Sequence, residues 1–175
     1  EGGMVLTNDY KKYKKLLKLR NQGNSEKIRY YHDILGYNYR MTNIQAAIGV
    51  GQMSKINEIL KRKRIIQKSY ENELSDYVNF QEIEKDSSSS YWMVSLTLKN
   101  QRIRDSLMNN LKKENIETRP FFKKISSMPF YEEANNKVSS KLSEIGLNVP
   151  SYPQLEKADI KFISNKIKHF LNINL

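Results

Sequence analysis

The chain has 175 residues, 38 % apolar and 28 % charged, with 30 Lys and Arg against 19 Asp and Glu for a formal net charge of +11. That length suits one domain or a large piece of a bigger one, with a lean core. The absence of Cys excludes disulfide scaffolds, Cys-ligated metal and thiol catalysis. His32 and His169 are too few for a multi-histidine metal site, no apolar run approaches the ~20 residues that span a bilayer, and the first residues carry no secretory pattern. The expectation is a soluble, cytoplasmic protein.

In chain order, Met4-Val5-Leu6 reads as the end of a buried strand. Asn8 or Asp9 can cap a helix running to about Arg20, closed by Asn21 and Gly23. Residues 24–41 are irregular and aromatic. Thr42-Asn-Ile-Gln45 matches a capping box, and the apolar spacing predicts one long helix from there to Leu74. Ile44, Ala47 and Ile48 mark its first buried stripe, followed by Ile56, Ile59, Leu60, Ile66, Tyr70 and Leu74. Gly49 and Gly51 weaken a helix and suit a site where another backbone approaches closely.

Residues 82–90, ending in four serines, read as a linker or loop. Trp92, Val94, Leu96 and Leu98 alternate with Met93, Ser95 and Thr97, the period of a strand with one apolar face. Residues 101–115 read as a helix, 116–118 as a short strand stopped by Pro120, and 139–146 and 156–171 as helices flanking a turn-like 147–153. The fold class is α/β, with a small α+β domain from Trp92 onward.

Charge is concentrated. Residues 10–70 hold 15 Lys and Arg against Glu26, Asp33 and Glu58. Lys11, Lys12, Lys14, Lys15, Lys18 and Arg20 form one cluster; Lys61, Arg62, Lys63, Arg64 and Lys68 form another. Both read first as the solvated faces of amphipathic helices, and second as a stripe able to neutralise phosphates. Motifs for phosphate loops, nucleophile elbows and zinc peptidases are absent. Paired carboxylates at Glu82/Glu84 and Glu132-Glu133 are weak signals. From the residues alone, His32–Met41 is an aromatic, cationic loop leading into a capped helix, a reasonable anion site or a tyrosine-rich packing loop.

Four blocks then occur in order: Glu1-Gly-Gly-Met4, the fourteen residues Gly36-Tyr-Asn-Tyr-Arg-Met-Thr-Asn-Ile-Gln-Ala-Ala-Ile-Gly49, Glu117-Thr-Arg-Pro-Phe-Phe122, and Gly146-Leu-Asn-Val-Pro-Ser-Tyr-Pro153. Together they resemble the C-terminal part of the DegT/StrS-type sugar aminotransferases, fold-type-I pyridoxal-phosphate enzymes, and within them the perosamine-synthase branch. The resemblance implies a remnant of the large cofactor-binding domain with its sheet edge over 1–55, a long bridging helix, and a small C-terminal domain over 56–175.

It also implies amination of a nucleotide-linked 4-keto-6-deoxy sugar with glutamate as donor and pyridoxal 5'-phosphate as cofactor. In the family the cofactor-attaching lysine precedes the segment matching Glu1–Met4. No residue here is therefore expected to be catalytic, and the chain alone is expected to be inactive. Partners would be the N-terminal half or a second subunit in a dimer with shared active sites, plus the nucleotide-sugar and glutamate; no membrane, metal or nucleic acid is expected. By position, Asn38 and Arg40 would meet the cofactor phosphate of the neighbouring subunit. His32, Tyr37 and Tyr39 would lie near the sugar-nucleotide, and Arg119 and Phe122 would line the substrate side. One departure stands out: the family's Pro and substrate-facing His are Lys124 and Ser126 here, and serine cannot titrate near neutrality. A non-catalytic basic binding or dimerisation module is the alternative.

Overall fold

The computed structural model describes residues 2–132 and 134–174. Glu1 of the first block and Glu133 of the Glu132-Glu133 pair lie outside the described residues. The chain divides into two compact units, residues 1–56 and 57–175.

The first unit is built on α1 (Tyr10–Arg20) and α2 (Asn43–Met53). Asp9 caps α1, its carboxylate accepting from the Lys11 and Lys12 amides at 2.8 and 3.1 Å. The chain leaves the helix through Asn21, Gln22 and Gly23, with Gln22 (φ 60°) and Gly23 (φ 69°) in the left-handed region. Thr42 caps α2 through both bonds of a capping box. Among the described residues of 2–56 only Gly23 is buried.

Three expectations for this unit are corrected. Met4, Val5 and Leu6 form no strand and are exposed, since no described strand runs beside them to share a ladder. The predicted stripe of α2 is open too: Ile44 and Ile48 are 76 % and 63 % exposed, Ala47 is exposed, and a Cβ at Gly49 or Gly51 would meet nothing within 4 Å. The long helix is two, α2 and α3 (Ile56–Leu74), parted at Ser54 and Lys55. There the Ser54 hydroxyl donates to the Gly51 carbonyl at 2.9 Å, and the Lys55 amide donates to the Gln52 carbonyl at 3.1 Å, a tightened turn at the end of a helix weakened by two glycines.

The second unit holds the core. Its four-stranded sheet has the order β1-β2-β4-β3, every pair antiparallel: β1 (Asn79–Phe80), β2 (Val94–Thr97), β3 (Arg119–Pro120) and β4 (Gly146–Val149). Helices α4 (Gln101–Lys113), α5 (Lys137–Ile145) and α6 (Lys157–Asn174) surround it, α4 packing on both others. Ile66, Tyr70 and Leu74 of α3 join Val94, Leu96, Leu107, Leu147 and Ile167 in one buried cluster. Residues 82–90 are the loop of the β1–β2 hairpin rather than a linker.

Further corrections follow here. Leu147–Val149, read as part of a turn, and Gly146, read as the end of a helix, form a central strand buried throughout. Flanked by paired strands, it shows no alternation to read, and Gly146 is required because a Cβ there would stand 2.2 Å from the Phe121 ring. The short strand is Arg119–Pro120, not 116–118, since its register is set by pairing with Asn148 and Leu147. Trp92 does not share the buried face of Val94 and Leu96; it is exposed.

The second basic cluster is not all solvated. Lys63 is buried, its ammonium donating to the Trp92 carbonyl at 2.8 Å, the Ser151 hydroxyl at 3.2 Å and the Ser151 carbonyl. Arg62 donates to the Pro153 and Leu155 carbonyls at 2.9 and 2.6 Å. Lys63 satisfies carbonyls flanking β2 and β4, and Arg62 those of the loop that follows β4, where no ladder partner exists. Burial pushes the Lys63 ammonium below its ordinary value. Lys168 of α6 also pairs with Glu73 of α3 at 2.6 Å.

Tyr70 donates its hydroxyl to the Pro150 carbonyl at 3.0 Å, and burial, aided by Tyr152 and Asp159, pushes the phenol well above its ordinary value of 10.0. The unfolded chain releases this proton near pH 10 while the folded chain keeps it, so stability falls as pH rises through 10. Tyr70→Phe is expected to lower stability by about 1 kcal/mol at pH 8 and to lessen the decline above pH 10 in urea unfolding. An unchanged alkaline slope would remove Tyr70 from that role.

Candidate functional site

The predicted residues fall into two groups, one in each unit. His32, Tyr37, Asn38, Tyr39 and Arg40 lie on one segment of the first unit, all exposed. Exposed loops ordinarily wander, but this one is tied to the C-terminal end of α1, where helix carbonyls lack partners. The Tyr37 amide donates to the Leu19 carbonyl at 2.7 Å and the Tyr39 amide to the Arg20 carbonyl at 3.1 Å. The Gln22 amide returns a bond to the Tyr37 carbonyl at 2.9 Å, and Asn21 bridges Asn38.

This sewing requires two glycines. A Cβ on Gly36 would stand 2.1 Å from the Gly23 nitrogen, and one on Gly23 would stand 1.9 Å from the Ile34 carbonyl oxygen. No other residue fits either position without moving backbone.

The side chains are arranged accordingly. Tyr37 and Tyr39 stack, centroids 5.1 Å apart and rings 11° from parallel. Arg40 sends one Nη to the Asn21 carbonyl oxygen of the side-chain amide at 3.4 Å, which orients the guanidinium and leaves its remaining donors available for a ligand. The His32 ring places Nδ1 2.8 Å from the Gln22 carbonyl oxygen. Asp33, the carboxylate of this segment, is paired with Lys18, which holds it below the usual carboxylate range. The segment thus presents an amide and a guanidinium on tied backbone, with the neighbouring acid already paired; these are the donor types that suit an anion.

Arg119 and Phe122 belong to the second unit. Arg119 sits in β3 opposite Asn148, pairs with Glu117 at 3.5 Å and lines a cavity of about 730 Å³ with Trp92, Tyr152 and Phe162. Phe122 is exposed two residues beyond the strand. Ser126 lies in a 3-10 turn (Ile125–Ser127), its hydroxyl buried without a hydrogen-bond partner among the described residues. The Lys124 ammonium reaches the Ala134 carbonyl at 3.5 Å.

Sequence reasoning missed Asn21 and Gln22, which hold the Arg40 and His32 side chains, and Lys63 with Ser151, which fix one wall of the cavity. The signal for Lys63 was its spacing, three, four and seven residues before the buried Ile66, Gln67 and Tyr70.

The DegT/DnrJ/EryC1/StrS aminotransferase family pattern matches residues 1–168. The chain belongs to that family. Among its relatives, the GDP-perosamine synthase of Escherichia coli is 39 % identical over 172 residues, 97 % of this chain and 47 % of the relative. That of Vibrio cholerae is 40 % identical over 181 residues, 98 % of this chain and 49 % of its own. The solved DegT DnrJ EryC1 StrS aminotransferase from Brucella abortus superposes with a TM-score of 0.80 at 26 % identity, over 94 % of this chain and 45 % of that one. The chain thus spans about half the length of the curated relatives it matches, and its mixed helices and small antiparallel sheet are the C-terminal part of the DegT-family fold.

Gly36→Ala tests the sewn loop. Overlap of this kind costs on the order of 2 kcal/mol, so amide exchange at Tyr37 and Tyr39 is expected to accelerate about tenfold or more. Unchanged exchange would mean that the close approach is not what holds the segment.

Proposed function

We propose that this chain provides the C-terminal half of a pyridoxal-phosphate aminotransferase that aminates a nucleotide-linked 4-keto-6-deoxy sugar, with glutamate as donor. Residues 1–55 belong to its large domain and 56–175 form its small domain. The loop from His32 to Arg40 completes the active site of a second subunit. The observation that carries this reading is the fixed, exposed pair Asn38 and Arg40 in a unit with a single buried residue among those described. A segment so organised and so lacking in its own core has its binding surface turned toward other protein. The open face of α2, with Ile44, Ile48 and the bare Gly49 and Gly51, supports the same conclusion. Relatives that carry the name GDP-perosamine synthase support the substrate class.

The residues fit the cofactor's phosphate: Asn38 offers an amide N–H, Arg40 a permanent charge, and neither is consumed by an acid of its own loop. When bound, pyridoxal phosphate supplies the electron sink that lets an amino group pass from donor to acceptor. The chain's own contribution is binding and orientation. Asn38 and Arg40 hold the phosphate end, the stacked Tyr37 and Tyr39 and His32 face the sugar-nucleotide, and Arg119 and Phe122 line the substrate side from the small domain.

In the whole enzyme, Asn38→Ala and Arg40→Ala are each expected to weaken cofactor affinity about 10- to 100-fold, the value of a hydrogen bond to a charged group. Titration of the apoenzyme with pyridoxal phosphate measures this. Wild-type affinity in both variants would detach the loop from the phosphate. A purified enzyme that fails to aminate a GDP-linked 4-keto-6-deoxy sugar with glutamate would overturn the substrate assignment.

A further inference from the structure

Helix α1 carries five lysines, one arginine and no acid, and the helical period sorts them. Lys11, Lys14, Lys15 and Lys18 recur at the spacing of one helix face. Leu16, Leu17 and Leu19 are half-buried on the opposite side, so the lysine stripe is turned outward, with Lys11, Lys14 and Lys15 exposed. Neutralising groups are scarce around it. Residues 2–56 have Asp9, Glu26 and Asp33 as their only acids. Asp33 is paired with Lys18, while Asp9 accepts from the Lys11 and Lys12 amides and lies 3.9 Å from the Lys12 ammonium. Among the described residues, Lys11, Lys14 and Lys15 pair with no carboxylate.

We propose that this face of α1 is a docking surface for an anionic lipid membrane. Charge complementarity commits the partner to a polyanion, and two features favour a lipid surface over nucleic acid. First, the stripe is almost all lysine, a compact point charge that answers the diffuse field of headgroups, whereas base and phosphate recognition favours the forked guanidinium. Second, Tyr10 and Tyr13 meet with ring centroids 6.2 Å apart, and the Lys14 ammonium sits 5.8 Å from the Tyr10 centroid. The rings engage each other and a lysine instead of standing apart as platforms for bases. The contact is peripheral, since no helix among the described residues is long and apolar enough to cross a membrane. The family resemblance implies no membrane partner; the charge of α1 stands apart from the proposed reaction, and neither depends on the other.

Vesicle co-sedimentation of the full chain tests this. Binding is expected to phosphatidylcholine vesicles containing about a third phosphatidylglycerol, with none to phosphatidylcholine alone and loss as salt rises from about 50 to about 200 mM. Replacing Lys11, Lys14 and Lys15 together by Gln keeps helix propensity. It is expected to weaken binding about 100-fold, roughly fivefold for each charge. A matched variant replaces Lys99, Lys112 and Lys141 by Gln, exposed lysines of the second unit, and so makes the same change in net charge. It is expected to bind within about threefold of wild type. Equal losses in the two variants would assign binding to the overall charge of +11 and overturn the α1 surface. Absence of binding to the phosphatidylglycerol vesicles, or tighter binding to a DNA duplex at the same salt, overturns the membrane assignment.

Discussion

The close backbone approach of Gly36 to Gln22 and Gly23 is the constraint on which the candidate site depends. At 2.1 Å, the space where a Cβ would sit is already occupied by the Gly23 nitrogen. Only that approach lets the Tyr37 and Tyr39 amides reach the last carbonyls of α1. The consequence runs outward: with the backbone of residues 37–40 fixed, Asn38 and Arg40 have a defined separation, the two tyrosines stack, and Gln22 is left to meet His32. An exposed segment becomes a preorganised surface without burying apolar area, because helix-end carbonyls that would otherwise bind water supply the hold.

The small domain uses a related device in a different setting. Its sheet is short, and the carbonyls beyond β2 and β4 have no strand to pair with. Lys63 and Arg62 of α3 serve them, while Tyr70 of the same helix takes the Pro150 carbonyl. One helix thus contributes apolar surface to the core and three donor side chains to the strand ends and the loop that follows β4. The cavity wall that carries Trp92, Ser151 and Tyr152 is held by these bonds.

Much of this was legible in the residues, and the failures share a cause. Caps are local, so Asp9 and Thr42 with their helices follow from side chains a few positions away. Alternation at Val94, Leu96 and Leu98 yields β2. β4 was missed because a four-residue strand buried on both faces has no period. Lys63 was misread because charge ordinarily marks the surface, and only the strand-end carbonyls, distant in sequence, explain its burial. Met4–Leu6 and the α2 stripe are apolar patterns whose partner is not among the described residues. Of the site, the block from Gly36 to Met41 was identified through its family resemblance, but the roles of Asn21 and Gln22 depend on a chain reversal that no short-range pattern encodes.

The central claim is that the loop of one subunit serves the site of another. The most direct measurement mixes two inactive subunits of the whole enzyme: one with Asn38 and Arg40 both replaced by Ala, the other with an intact loop but its cofactor-attaching lysine replaced. If sites are shared, each mixed dimer rebuilds one complete site, and random assortment in a two-fold dimer returns about a quarter of wild-type activity. Mixed dimers that form but remain inactive would contradict the account.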